Sequence, residues 1–207
     1  MQNPSFTVSR QSHAYNANMD GAAAVQACDK YNLRARAEGW PSVCDATLDF
    51  HRVEFRVLIA TWRSFATQRL PSRKDFTPRS LKSLLRNVVI YERVTNGSVR
   101  YRVRLMGTAF AEMMGDLSGK FLDEAIPAEH LPRWHAALDA AIEAGAPLRF
   151  VSRMDTLDKP FMVGEYFEAP VLTDDGSPDM ILAAGLFAPR HSADIPALEP
   201  MRQTVAA

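Results

Sequence analysis

The chain has 207 residues and no net formal charge; 47% of its side chains are apolar and 23% are charged. That composition suits a soluble globular domain with a true core plus an extension, and no run of about 18 apolar residues offers a bilayer span. Met1 to Arg10 lacks the basic-then-apolar order of a secretory signal, so a cytoplasmic location is expected, with Cys28 and Cys44 as reduced thiols rather than a disulfide.

Charge is spread unevenly. Residues 62–104 carry 11 Lys/Arg against Asp75 and Glu92, for +9, whereas residues 105–207 carry 7 basic against 16 acidic groups, for −9. Such asymmetry marks either an anionic partner or a basic segment lying against the acidic one, within the fold or between protomers. The self-complementary reading is favoured.

In chain order, residues 1–19 are polar and aperiodic and read as a loosely held arm. Residues 20–37 allow a helix with a thin apolar stripe (Ala22, Val25, Ala27, Leu33), broken at Gly39-Trp40-Pro41-Ser42. Leu48 to Ala66 is the clearest helix, with Leu48, Phe55, Leu58, Ile59, Trp62, Phe65 and Ala66 on one side. Phe50, Val53, Val57 and Ala60 fall almost opposite, so this helix needs a second cover. Leu70-Pro71 stops it.

After a short helical turn from Pro78 to Leu85, the β-branched run Val88-Val89-Ile90-Tyr91 predicts a strand. Asn96-Gly97 predicts a tight hairpin, because both central positions of its turn need positive φ. The return strand alternates, with Val99, Tyr101, Val103 and Leu105 toward the core and Arg100, Arg102 and Arg104 outward. A short helix follows from Ala109 to Met114, with Thr108 as its N-cap and Gly115 at its end. A longer helix begins near Pro132, carries Trp134, Leu138, Ala141 and Ile142, and ends before Gly145. Three strands close the order, Leu148–Met154, Phe161–Leu172 and Met180–Ala188, with Asp174-Asp175-Gly176 turning the second into the third.

The block from Tyr101-Arg102-Val103-Arg104-Leu105-Met106-Gly107-Thr108 to Asp116-Leu117-Ser118-Gly119, with Pro71-Ser72-Arg73 before it and the Glu165-to-Pro170 strand after it, resembles small bacterial single-domain PAS proteins. The resemblance covers about residues 55–187. It implies an α+β fold: a PAS-like five-stranded antiparallel sheet with helices on one face and an N-terminal helical extension. On that reading residues 1–47 form the extension, 48–188 the domain with its leading helix 48–66, and 189–207 an irregular tail.

The resemblance also implies a sensory or regulatory module without catalysis of its own, acting through an unidentified signalling protein. Its pocket would be drawn from Tyr91, Tyr101, Val103, Leu105, Phe110, Met113, Met114, Phe121, Trp134, His135, Leu138 and Phe150. Met and aromatic residues at helical spacing are more often plain core, and that reading is favoured. No cofactor is required. Flavin photosensors of the family carry a reactive Cys after the short helices, and none lies between residues 45 and 207. Haem-binding members take an axial His from the helix before the last three strands, which makes His135 the candidate, against a half-buried His with a backbone partner.

Enzymatic motifs are absent: no phosphate-binding glycine loop, no Cys-x-x-Cys, no His-Glu-x-x-His and no nucleophile elbow. The arginine ladder lacks interleaved outward aromatics, so neither a nucleic-acid partner nor membrane insertion is expected. The expected partner is a second copy, held through Phe50, Val53, Val57 and Ala60.

Overall fold

The computed structural model describes residues 20–190 apart from 83 and 156–158. The arm expected at 1–19 and the tail from 191 onward lie outside the described residues. The five expected strands are present, with a sixth at the edge. In chain order the elements are α1 (Asp20–Ala37), β1 (Ser42–Asp45), α2 (Val53–Phe65), β2 (Val88–Asn96), β3 (Ser98–Met106), α3 (Thr108–Met114), α4 (Leu131–Ala144), β4 (Leu148–Met154), β5 (Lys159–Val171) and β6 (Met180–Pro189). All strand pairs are antiparallel, in the spatial order β1-β4-β5-β6-β2-β3. β2 and β3 pair through to Asn96↔Ser98, with Gly97 at φ 77° in the turn.

Helices cover both faces of this sheet, which corrects the expectation of one. On the first face α3 and α4 pack over Val89, Tyr91, Tyr101, Val103, Ile181 and Ala183. α1 lies beside α4 over Leu148 and Phe150. On the second face α2 buries Phe55, Leu58, Ile59 and Trp62 against Val88, Ile90, Phe167, Ala169 and Leu182. Residues 20–45 are thus packed on the sheet. α1 meets α4 through Ala24, Ala27 and Cys28 against Ala140 and Ala144, small side chains that allow close approach. Cys28 and Cys44 are joined as a disulfide between α1 and β1, correcting the expectation of reduced thiols.

α2 begins at Val53 rather than Leu48. Leu48 has φ 59°, outside the helical region, and the chain from there folds Phe50 into the core beside Phe55 and Phe167. The turn into α2 is held by Glu165 of β5. One carboxylate oxygen accepts from His51 N at 3.1 Å and from Arg149 Nε at 2.7 Å, and the other from Arg52 N at 3.3 Å. Arg149 also donates to Asp45 at 3.2 Å. One buried pair therefore ties β1, β4, β5 and the start of α2. Trp62 Nε1, donating to Pro170 O at 3.0 Å, pins the helix further along.

The alternation of β3 breaks near its end. Tyr91 pairs with Val103 while Ile90 pairs with Leu105, so Arg104 is the extra residue of a bulge. Leu105 consequently turns to the α2 face, not to the face of Tyr101 and Val103. The ladder arginines meet acids: Arg100 binds Asp123 and Glu124, and Arg102 and Arg104 share Glu92. Arg86–Glu112, Arg93–Asp179 and Lys74–Asp174 also join the basic segment to the acidic one, as the self-complementary reading expects.

Two substitutions test this architecture. A methyl group on Gly107 would stand 2.4 Å from the Arg86 carbonyl oxygen, so Gly107→Ala should cost about 1–3 kcal/mol in urea unfolding. An unchanged midpoint would contradict the close approach. Glu165→Ala leaves buried Arg149 with Asp45 as its remaining carboxylate and strips the acceptor from the amides of His51 and Arg52, so it should cost up to roughly 3–5 kcal/mol, more than removal of the partly exposed Glu92 in the same assay.

Candidate functional site

A cavity lies between the first sheet face and α1, α3 and α4, with a volume of about 60 Å³. Its walls are largely aromatic: Tyr31 from α1, Tyr91 from β2, Phe110 from α3, Trp134 from α4, Phe150 from β4 and Tyr166 from β5. Met114, Leu138, Met154 and Ala183 fill between them. Phe110 and Tyr166 stack with Phe187 edge-on, at 5.4 and 5.7 Å between ring centres. These rings reach the sheet at Gly185, where a methyl group would stand 2.7 Å from Phe110.

Polar side chains also reach the wall, among them Ser42, Ser152, Arg133, Arg153 and Glu168, and Arg153 keeps a buried Nε without a hydrogen-bond partner. Tyr31 donates to Ser42 Oγ at 2.8 Å, and Tyr166 contacts Met154 Sδ at 3.1 Å. Arg133 is buried, with its guanidinium forked onto Asp155 at 2.5 and 3.1 Å. Glu168 is the acid among these. It sits mid-sheet between Leu148 on β4 and Ala183 on β6, is buried, and its Oε2 has no hydrogen-bond partner. Burial pushes its carboxyl up to about 8, since nothing compensates the charged form for lost water. Burial also raises the Tyr31 hydroxyl to about 12, and raises Tyr91 and Tyr166, which lie in the field of Glu168.

Of the twelve pocket residues expected from sequence, Tyr91, Phe110, Met114, Trp134, Leu138 and Phe150 line the cavity. Tyr101 and Val103 are fully buried in the core of the same face but do not reach it. Leu105 faces α2, Met113 is half-buried against the core, and Phe121 lies outside under Arg100, 3.8 Å from its ring centre. His135 stands edge-on to Tyr101 at 5.2 Å, with Nε2 buried and unpartnered. Its pKa is lowered by burial, against the pull of Asp139 and Asp123. Glu168, Tyr166, Tyr31 and Ser42 were missed. A carboxylate two residues from Tyr166, and so on the same face of β5, was the available signal for Glu168.

Haem does not fit this site. His135 does not line the cavity, and about 60 Å³ is far below the roughly 300 Å³ or more of drug-sized ligand sites. No cluster of three His, Cys, Asp or Glu able to hold a metal occurs among the described residues. No helix among them is long and apolar enough to cross a membrane.

A family model described as PAS domain matches residues 51–186. The chain belongs to the PAS domain family. No curated protein matches it. Among solved structures it is similar to an RNA-binding light-oxygen-voltage receptor, at 19% identity and a TM-score of 0.37 over 53% of this chain. The match spans 32% of that receptor, about a third of its length. Seen as a PAS domain, the sheet face under α3 and α4 holds the cavity, and α1 with β1 closes it at one side.

The raised carboxyl of Glu168 makes stability depend on pH. The folded pKa lies above the unfolded value of 4.5, so the protonated folded state is favoured at low pH. Stability is lost as pH rises from about 4.5 through about 8, with a slope approaching ~1.4 kcal/mol per pH unit from this group. Denaturant unfolding across pH 5–8 should show Glu168→Gln flattening that dependence. Parallel profiles for the two proteins would refute it.

Proposed function

We propose that this PAS protein is a sensory or regulatory module of bacterial type, without catalysis of its own, that works as a homodimer and passes its signal to another protein. A small molecule in the cavity would be the signal. The observation that carries the reading is the outer side of α2. Its inner side is fully committed to the core, yet Val53 and Val57 stand 64% and 54% exposed, with Ala60 exposed beside them. Phe50, expected in the same stripe, is core and drops out of the interface. The rival cover, residues 20–37, lies on the opposite sheet face against α4. A two-fold pairing of α2 would bury the valines, each worth about 1.5–3 kcal/mol when fully buried.

The ladder arginines are engaged by Glu92, Asp123 and Glu124, which supports a protein partner over nucleic acid. A cytoplasmic location belongs to the same proposal. The Cys28–Cys44 bond weighs against it, because reducing compartments keep such thiols unpaired.

Val53→Glu with Val57→Glu should give a folded monomer in sedimentation velocity, with a cooperative unfolding midpoint that no longer depends on protein concentration. A variant that stays dimeric would place the interface elsewhere. One that unfolds would make the stripe intramolecular core.

A further inference from the structure

We propose that the cavity takes a small alkylammonium ligand, whose cationic head pairs with Glu168 and whose short chain lies among the aromatic walls. This rests on the reading of the cavity as a signal site and names its ligand class.

Three observations converge. Glu168 presents a buried carboxylate oxygen with no partner in a wall of the cavity, and a buried acceptor left so is costly unless a donor arrives. Tyr91, Trp134, Phe110 and Phe150 surround the same space, and aromatic faces attract cations, more so when water is excluded. The volume of about 60 Å³ holds roughly four to six water-sized groups, enough for an amine with a three-carbon chain. Of the two cations in the wall, Arg133 has Asp155 forked onto its guanidinium, and neither it nor Arg153 offsets the burial of Glu168, whose shift comes from lost water alone.

Binding has a proton balance. An alkylammonium entering at pH 6.5 meets a neutral carboxylic acid, forms the carboxylate–ammonium pair, and releases one proton to buffer. The other titratable groups facing Glu168 are Tyr31 on α1, Tyr91 on β2, Arg133 on α4, Arg153 on β4 and Tyr166 on β5. The tyrosines are raised further from neutrality by burial, and the arginines remain cations. α3 contributes Phe110 and Met114, which carry no charge. Glu168 is therefore the source of the proton.

Titration calorimetry of the full chain with propylammonium chloride, and with 1-propanol as its uncharged shape match, tests this. The expected result is one propylammonium per chain, binding at least tenfold tighter than propanol. Near one proton should be released at pH 6.5 and little at pH 9, read from heats in buffers of different ionisation enthalpy. Glu168→Gln, which keeps the side-chain shape, should weaken the amine at least tenfold and leave propanol unchanged. Propanol binding as tightly as the amine, or equal amine affinity in Glu168→Gln, would overturn the ligand class while leaving the cavity a ligand site. No binding of either probe would overturn both. The wild-type comparison decides the matter even should the variant fail to fold.

Discussion

The structure depends on one constraint: over residues 163–171 and 180–185 its central strands have almost no face in water. β5 and β6 are flanked by strands on both edges and covered by α2 on one side and by α1, α3 and α4 on the other. Any polar side chain placed on them must find its partner inside the protein. β5 carries two such groups three residues apart, on opposite faces. Glu165 meets Arg149 and two backbone amides, and through them fixes where α2 begins. Glu168 meets an aromatic cavity and keeps an oxygen unpartnered. One glutamate organises the fold; the other marks the space that the fold leaves open.

Electrostatics outside the core follow a simpler rule. The basic middle of the sequence and the acidic stretch that follows it fold against each other, from Arg86–Glu112 on α3 to Arg93–Asp179 beside the turn into β6. These pairs are partly exposed, so each contributes little to stability. Their consequence is that the arginine ladder is engaged within the chain, while α2 leaves an apolar stripe open. The surface most suited to a partner is therefore apolar.

Much of this was legible in the sequence because it is written in local periodicity: the Asn96-Gly97 hairpin, the five main strands, and the helices ending at Gly115 and Gly145. What was not legible depends on long-range pairing. Phe50 continues the helical period of α2, yet leaves it because Glu165, far along the chain, captures the amides of His51 and Arg52. Leu105 continues the alternation of β3, yet changes face at a bulge that only the register with β2 reveals. The stripe of α1 looked thin because alanines and Cys28 carry little hydrophobicity, although they suit close packing against the alanines of α4. β1 is a four-residue edge strand, Ser-Val-Cys-Asp, too short and polar to declare itself. Half of the expected cavity residues were found, since aromatic and apolar side chains on the correct face are read from period alone. Its deciding residue was not, because a single carboxylate has no period and only the pairing of β5 between β4 and β6 buries Glu168.

The chemistry of the cavity rests on Glu168 being a buried carboxyl with an oxygen that lacks a partner. Carbon-13 NMR of its side-chain carboxyl across a pH titration, assigned by comparison with Glu168→Gln, reports that state directly. The structure requires a titration midpoint near 8; a midpoint near 4.5, the ordinary value, would mean that the carboxylate is hydrated or paired, and would contradict the account.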